Sequence, residues 1–349
     1  MTALAETIAI QGRVLRHVLD LDLASAAARL EGAERIWLVG TGTSEHAACL
    51  GAAMLATAGF DARACSAAGF IAAGRLDPRP STASMVGGDH SDRADFAADG
   101  STPRGPGLGP GDALVVISHT TETAFARRVR EDALAAGSRL VSITAEGKDW
   151  PEAIEAAPPE RSDTYTASYL AALLVFARLT VALGGEEWSA DDLGALPGLV
   201  DGAGVEPLAV EAPPSRLTVL FGAGPAAVTA REGALKLREA SRVLAEGFES
   251  EYLLHGSAVP LSGDDHLIAI DPDGDPSGLT ASLAEAAEAE GIPVARLDPP
   301  PDLHPFLAQF PLTVRLQTLA SRWADRRGID PDRVILGAWA DAALWSLGA

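Results

Sequence analysis

Lysine is nearly absent from this chain. Of its 27 basic residues only two, Lys148 and Lys236, are lysine, and the rest are arginine. Cysteine is scarce too: Cys49 and Cys65 stand in apolar surroundings without metal spacing and read as buried, reduced thiols of a cytoplasmic protein. Aromatic residues make up 5%, so Ala, Leu and Val must fill the core. Positive charge is outweighed, with a net charge of −21, which argues against a nucleic-acid or anionic-membrane surface. No apolar run is long enough to span a bilayer. The longest, 169–183, is interrupted by Arg178 and reads as a buried helix. The first residues lack a basic stretch followed by an apolar one, so no signal peptide is expected.

What is present is a repeated plan. A length of 349 residues suits two domains. Residues 1–34 read as an N-terminal helical segment of two amphipathic pieces. A first unit over 35–185 begins with a strand at 35–39 that ends in Gly-Thr-Gly-Thr-Ser. A helix at 45–58 and a strand at 60–66 follow. Residues 74–111, rich in Gly, Pro, Ser and Asp, read as a long surface loop, with an active-site lid as the alternative. Order resumes with a strand at 113–118, a helix at 124–136 and a strand at 139–143. Residues 186–215 read as a linker. The second unit, 216–349, repeats the pattern: a strand at 216–221, a helix at 226–245, a strand at 265–270, a helix at 279–290, a strand at 293–297 and a C-terminal helix at 311–326. Such alternation implies mainly parallel sheets with helices on both faces. The expectation is an α/β protein of two tandem three-layer αβα units related by internal duplication.

Four segments carry chemistry. Ser118-His-Thr-Thr-Glu-Thr123 lies where a strand turns into a helix. Hydroxyls of Ser118, Thr120 and Thr123, the imidazole of His119 and the free N–H groups of the helix start suit a phosphate. One hydroxyl is expected to cap the helix instead. The corresponding turn of the second unit, Asp271-Pro-Asp273-Gly-Asp275, carries three carboxylates that would repel a phosphate, so the anion belongs to the first unit. Gly42, Thr43 and Ser44 follow the first strand, and their small, hydroxylated surface suits a sugar. In the third segment, Lys236 and Glu239 share a helix face at a spacing of three, where a tunable ammonium and a carboxylate can hold an oxygen and move a proton. In the fourth, His255 lies just beyond that helix and can open a sugar ring by proton transfer. The other histidines, His46 among them, have no comparable company, and no metal site is expected. Gly222-x-Gly224-x-x-Ala227 fits a loose dinucleotide fingerprint, but no acid clearly ends a following strand about 20 residues on, so no cofactor is expected.

Assembled, these segments resemble the sugar isomerase (SIS) superfamily, and within it the isomerase half of glucosamine-6-phosphate synthase. The resemblance covers nearly the whole chain. It rests on GTGTSEHAA, on SHTTET, similar to the family's Ser/Thr phosphate loop SQSGET, and on EGALKLREASRVLAEGFESEYLLHG. It implies that Glu239 is the base moving a proton between C1 and C2 of an open-chain hexose phosphate. It also implies that Lys236 lies beside the enediol oxygens. His255 would assist ring opening, reaching across the interface of a homodimer. The phosphate would rest on Ser118, Thr120 and Thr123, and the sugar on Thr43 and Ser44. The sequence departs from the family in several places. His119 and Thr121 replace the usual Gln and Gly. Asp163-Thr-Tyr-Thr166 replaces a Ser-Thr-Lys segment. Neither a counterpart of the family's C-terminal lysine nor a glutaminase domain ahead of the isomerase units is expected. The resemblance therefore implies a phosphosugar isomerase or an amino-sugar-phosphate isomerase or deaminase. A binding-only regulator on the same fold is the alternative, and a nicotinamide dehydrogenase is the more distant rival.

Overall fold

The computed structural model describes residues 1–76, 108–109, 111–205, 208, 210 and 212–347. Most of the expected loop at 74–111 lies outside the described residues. Three helices open the chain rather than two: α1 (Ala3–Ala9), α2 (Gln11–Asp20) and α3 (Ala24–Leu30). The first unit then runs β1 (Ile36–Gly40), α4 (Thr43–Thr57), β2 (Ala62–Ser66), α5 (Ala67–Leu76), β3 (Ala113–Ile117), α6 (Ala124–Ala135), β4 (Arg139–Ala145), β5 (Ala153–Ala157) and α7 (Ala167–Ala182). Helix α8 (Ala190–Ala203) follows. The second unit comprises β6 (Thr218–Gly222), α9 (Pro225–Ser241), β7 (Ala245–Glu249), the short α10 (Ser250–Tyr252), β8 (His266–Ile270), α11 (Leu279–Ala289), β9 (Val294–Leu297) and α12 (Pro305–Arg327). A last short helix, α13 (Ala342–Ser346), ends the described chain.

Both sheets are wholly parallel. The first has order β2-β1-β3-β4-β5 and the second β7-β6-β8-β9. Strand β3, Ala-Leu-Val-Val-Ile, is buried at every position, as a strand covered on both faces must be. Apolar side chains of α2, α4 and α7 cover one face of the first sheet, and those of α5 and α6 cover the other. In the second unit α9 and α12 cover one face and α11 the other. Helix α7 is apolar around most of its circumference and is buried accordingly. Its one charge, Arg178, donates to the carbonyls of Val18 in the last turn of α2 and of Leu21 just beyond it. No helix among the described residues is long and apolar enough to cross a membrane.

Several elements differ from the sequence reading, each for a physical reason. Residues 190–203, within the stretch read as a linker, form α8, started by a capping box in which Ser189 and Asp192 satisfy each other's backbone N–H. Helix α8 packs on α2 and α12 despite Pro197. Helix α12 starts at Pro305, not at Pro311, which sits inside it. Helix α9 stops at Ser241, where Arg242 takes a left-handed conformation, and 245–249 is strand β7. Gly247 is required there, because a Cβ would lie 2.5 Å from the backbone of Arg231. Cys49 and Cys65 are free thiols and only half-buried.

Helices α4 and α9 pack against each other and join the two units. Helix α12 contributes Phe310 and Val314 to the core of the first unit and Leu312 and Leu316 to that of the second. The starts of α4 and α6 and the last turns of α9 are brought to one place.

Candidate active site

In the first sheet, the chain leaves β1 toward one edge and leaves β3 toward the other. A crevice opens at the carboxyl ends of such neighbours, where ligands of parallel α/β sheets bind. A cavity of about 1030 Å³ lies here. One wall is Thr41 to Ser44 and another Ser118 to Thr120 with Thr123. Glu239, Tyr165 and residues between Val334 and Leu347 complete the lining.

The first wall depends on two glycines. A Cβ on Gly40 would fall 2.4 Å from the backbone of Ser44, and Gly42 has φ 59°. The tight turn brings the first turn of α4, with Thr43 and Ser44, to the crevice. On the second wall, Ser118 Oγ is buried and has no hydrogen-bond partner. His119 Nε2 accepts the N–H of Glu160 at 3.1 Å, which places the ring proton on Nδ1. That Nδ1 is buried and unpartnered as well. Burial also pushes the imidazole pKa down, against the pull of Glu160, and so favours the neutral ring. Thr120 Oγ1 accepts from Glu122 N at 3.2 Å in the turn ahead of α6, so the expected capping hydroxyl is not found. Thr121 has φ 64°, the left-handed region that favours glycine. Thr123 is the N-cap of α6 and makes no side-chain cap bond. A buried hydroxyl, a directed imidazole N–H and an uncapped helix start thus face one space, and an anion would satisfy all three.

Behind the first wall runs a buried charged network. Lys236, 1% exposed, donates to Thr43 Oγ1 and to the Tyr165 carbonyl, each at 2.9 Å. Its Nζ lies 2.6 Å from Glu239 Oε2 and 3.5 Å from Glu232 Oε1. Glu232 in turn accepts from Thr43 Oγ1 at 3.2 Å and from His46 Nδ1 at 2.7 Å. Burial disfavours the ammonium, but Glu239 and Glu232 outweigh it and raise the Lys236 pKa. Burial acts to raise Glu232 too, yet Lys236 and His46 hold it below its ordinary value. At Glu239 burial prevails over Lys236, Glu232 adds to it, and the pKa is raised. The residue that reaches the cavity is therefore the more basic of the two carboxylates, which suits a proton carrier.

Gly42, Thr43, Ser44, Ser118, His119, Thr120, Thr123 and Glu239 all line the one cavity. Lys236 does not: it is buried, hydrogen-bonded to Thr43 and the Tyr165 carbonyl and ion-paired with Glu239. The Thr43 hydroxyl is committed to the same network. His255 is elsewhere, 71% exposed at a kinked turn where Gly256 has φ 109°, and 3.7 Å from Glu251. Sequence reasoning passed over His46 and Glu232. The spacing of four between Glu232 and Lys236 was visible in the helix, whereas the contact of His46 depends on the packing of α4 against α9. It also passed over the segment from Val334 to Leu347, whose signal was a pair of tryptophans, Trp339 and Trp345, in a chain poor in aromatics.

An acid does end the strand after the loose dinucleotide fingerprint: Glu249 closes β7. Its carboxylate accepts from Tyr252 N, and the facing turn holds Asp271, Asp273 and Asp275, a poor neighbour for a diphosphate. Among the described residues no group of three or more His, Cys, Asp or Glu is arranged to hold a metal ion.

No protein-family profile matches the chain. It is 28% identical over 198 residues to the glutamine–fructose-6-phosphate aminotransferase of Methanothermobacter thermautotrophicus, covering 51% of this chain and 33% of that one. The same enzyme of Thermococcus kodakarensis is 33% identical over 126 residues, 32% of this chain and 21% of the relative. The matches thus span a third or less of the length of these relatives. Among solved structures, the C-terminal domain of glucosamine-fructose-6-phosphate aminotransferase from Francisella tularensis superposes with a TM-score of 0.71 at 20% identity, over 95% of this chain and 98% of that one. Tagatose-6-phosphate ketose/aldose isomerase from Escherichia coli gives 0.71 at 19%, over 97% of both chains. Glucosamine-6-phosphate deaminase from Thermotoga maritima gives 0.71 at 17%, over 95% and 97%. At these identities the structural likeness establishes the fold.

Proposed function

From a chain of two sugar isomerase (SIS) units that resembles the isomerase half of glutamine–fructose-6-phosphate aminotransferase, we propose an enzyme that moves a proton between C1 and C2 of an open-chain hexose phosphate or hexosamine phosphate. The phosphate rests against Ser118 Oγ, His119 Nδ1–H and the start of α6. Glu239 takes the proton from one carbon, leaving an enediol or its amino counterpart, and returns it to the other. Where C2 carries nitrogen, the same transfer gives an imine that water hydrolyses with release of ammonia. Lys236 acts from behind, holding the Glu239 carboxylate at the cavity wall. The observation that carries this reading is that unpartnered Ser118 Oγ and Glu239, 121 positions apart in sequence, line one cavity.

The test is Glu239→Gln, with the exchange of the C1 and C2 hydrogens followed by NMR on a panel of hexose and hexosamine 6-phosphates. Loss of a general base is expected to slow exchange by about 10²–10⁴-fold with binding retained. Exchange at the wild-type rate in the variant would overturn the assignment.

His255 is part of the same reading, as a ring-opening group supplied to the cavity of a second copy. Its exposure, together with that of Tyr252, Leu254 and Val259 around it, supports a partner covering this turn. Mixing inactive His255→Ala with inactive Glu239→Gln protein should restore part of the activity, because hybrid dimers hold one intact site. No recovery, or a monomer by analytical ultracentrifugation, would remove this role.

A further inference from the structure

The cavity is larger and less polar than its proposed reaction requires. Pockets of about 300–1,000 Å³ hold drug-sized ligands. A hexose monophosphate is smaller than those, so a volume of about 1030 Å³ leaves much of the space unfilled. Besides the hydroxyls, His119 and Glu239, the lining includes Ile335, Trp339, Leu344, Trp345 and Leu347 from the residues beyond Val334. Trp339 is 76% exposed and Trp345 58%, in a chain with six tryptophans altogether. Apolar side chains exposed singly are ordinary, but a cluster of them facing a cavity marks a contact surface.

The position of this surface is set by its anchor. Ser162 and Thr164 donate to the Pro331 carbonyl at 3.3 and 2.8 Å, and Val334 N donates to Asp163 at 3.3 Å. The next residue of that loop is Tyr165, whose carbonyl receives Lys236 Nζ beside Glu239. The tryptophan segment therefore enters the cavity from the side where the reacting carbons would lie. Trp345 Nε1 donates to the Trp339 carbonyl at 2.6 Å, which ties the two ring-bearing turns together. Among the described residues no lysine or arginine lines the cavity, and Asp163 and Glu122 do, which disfavours a substituent carrying negative charge there.

We propose that the ligand is a hexosamine phosphate whose nitrogen bears an apolar, ring-sized substituent, held against Trp339 and Trp345 while the phosphate occupies the Ser118 turn. This inference rests on the proposed phosphosugar site and adds the class of substituent.

The probes are glucosamine 6-phosphate and its N-benzyl derivative, with affinity measured by calorimetry and by quenching of tryptophan fluorescence. Burial of the added ring should tighten binding about 10–30-fold. Trp339→Ala and Trp345→Ala should abolish that gain and leave the affinity for glucosamine 6-phosphate within about twofold, while Trp→Phe at either position should keep most of it. Both side chains are exposed, so the variants are expected to fold, which circular dichroism checks. Equal or weaker binding of the N-benzyl compound beside clear binding of the parent would overturn the inference alone. So would a gain that survives both alanine variants. Failure of both probes to bind would overturn the phosphosugar reading together with it.

Discussion

The two units are alike where their strands begin and unlike where their strands end. At the start of β1, Arg35 grips Asp112 with two hydrogen bonds of 3.0 and 2.8 Å; at the start of β6, Arg216 grips Asp265 in the same manner. The glycine that caps each following helix has the same backbone, φ 59° and ψ −123° at Gly42 against φ 53° and ψ −123° at Gly224. The turns after β3 and β8 then diverge. Asp275 accepts from the backbone N–H and hydroxyl of both Ser277 and Thr280. Burial alone would raise its pKa, but these bonds hold it at about 2. That turn has built an anion into itself. The turn at Ser118 has left its hydroxyl and the neighbouring imidazole N–H without a partner. The scaffold needs the strand starts in both units, whereas a ligand site needs unsatisfied donors in one.

The largest expected effect tests the divergent ends. Ser118→Ala should weaken binding of glucosamine 6-phosphate about 10–100-fold, since a hydrogen bond to a charged group is worth about 1.5–3 kcal/mol. Ser277→Ala in the second unit should leave that affinity unchanged. Calorimetry decides, and an equal loss from both changes would erase the distinction between the turns. A smaller effect concerns pH. With its pKa raised by burial and by Glu232, Glu239 becomes protonated, and so fails as a base, while pH is still above the ordinary glutamate range. The acid limb of the rate profile should therefore lie above that range. Glu232→Gln removes one of the raising influences and should move the limb to lower pH. A limb that stays in place would separate Glu232 from the site.

Much of this contrast was legible in the sequence. Strands β1, β3, β6 and β8 announced themselves as short apolar runs, and the carboxylates of Asp271, Asp273 and Asp275 already set the second unit's turn apart from that of the first. What could not be read depended on long-range packing. Strand β7, Ala-Glu-Gly-Phe-Glu, looks like the end of a helix until Gly247 is seen pressed against the backbone of α9. Helix α8 hid behind Gly and Pro. The burial of Lys236 against Thr43 of α4 could not be read, because a helical spacing shows which residues share a face, but not whether that face meets a cavity or a neighbouring helix. His46 entered the network through the same contact and had no local signal.

The smallest expected effect tests the shared base. Asp112 and Asp265 are buried, while their arginine partners are between a third and a half exposed. Solvent around the arginines screens both pairs, so each is worth less than a fully buried one. Asp112→Ala and Asp265→Ala should each destabilise the protein by about 1–3 kcal/mol, and by similar amounts, because each also removes backbone bonds: from Gly109 N in one case and from Ser262 N and Leu217 N in the other. Neither change should alter affinity for a phosphosugar in the protein that remains folded, since both aspartates sit at the strand ends remote from the crevice. Urea unfolding gives the stability, and calorimetry on the same samples gives the affinity. A pair of strongly unequal losses would mean that the common geometry of the two strand starts conceals different roles, and that the likeness between the units is confined to the glycine turns.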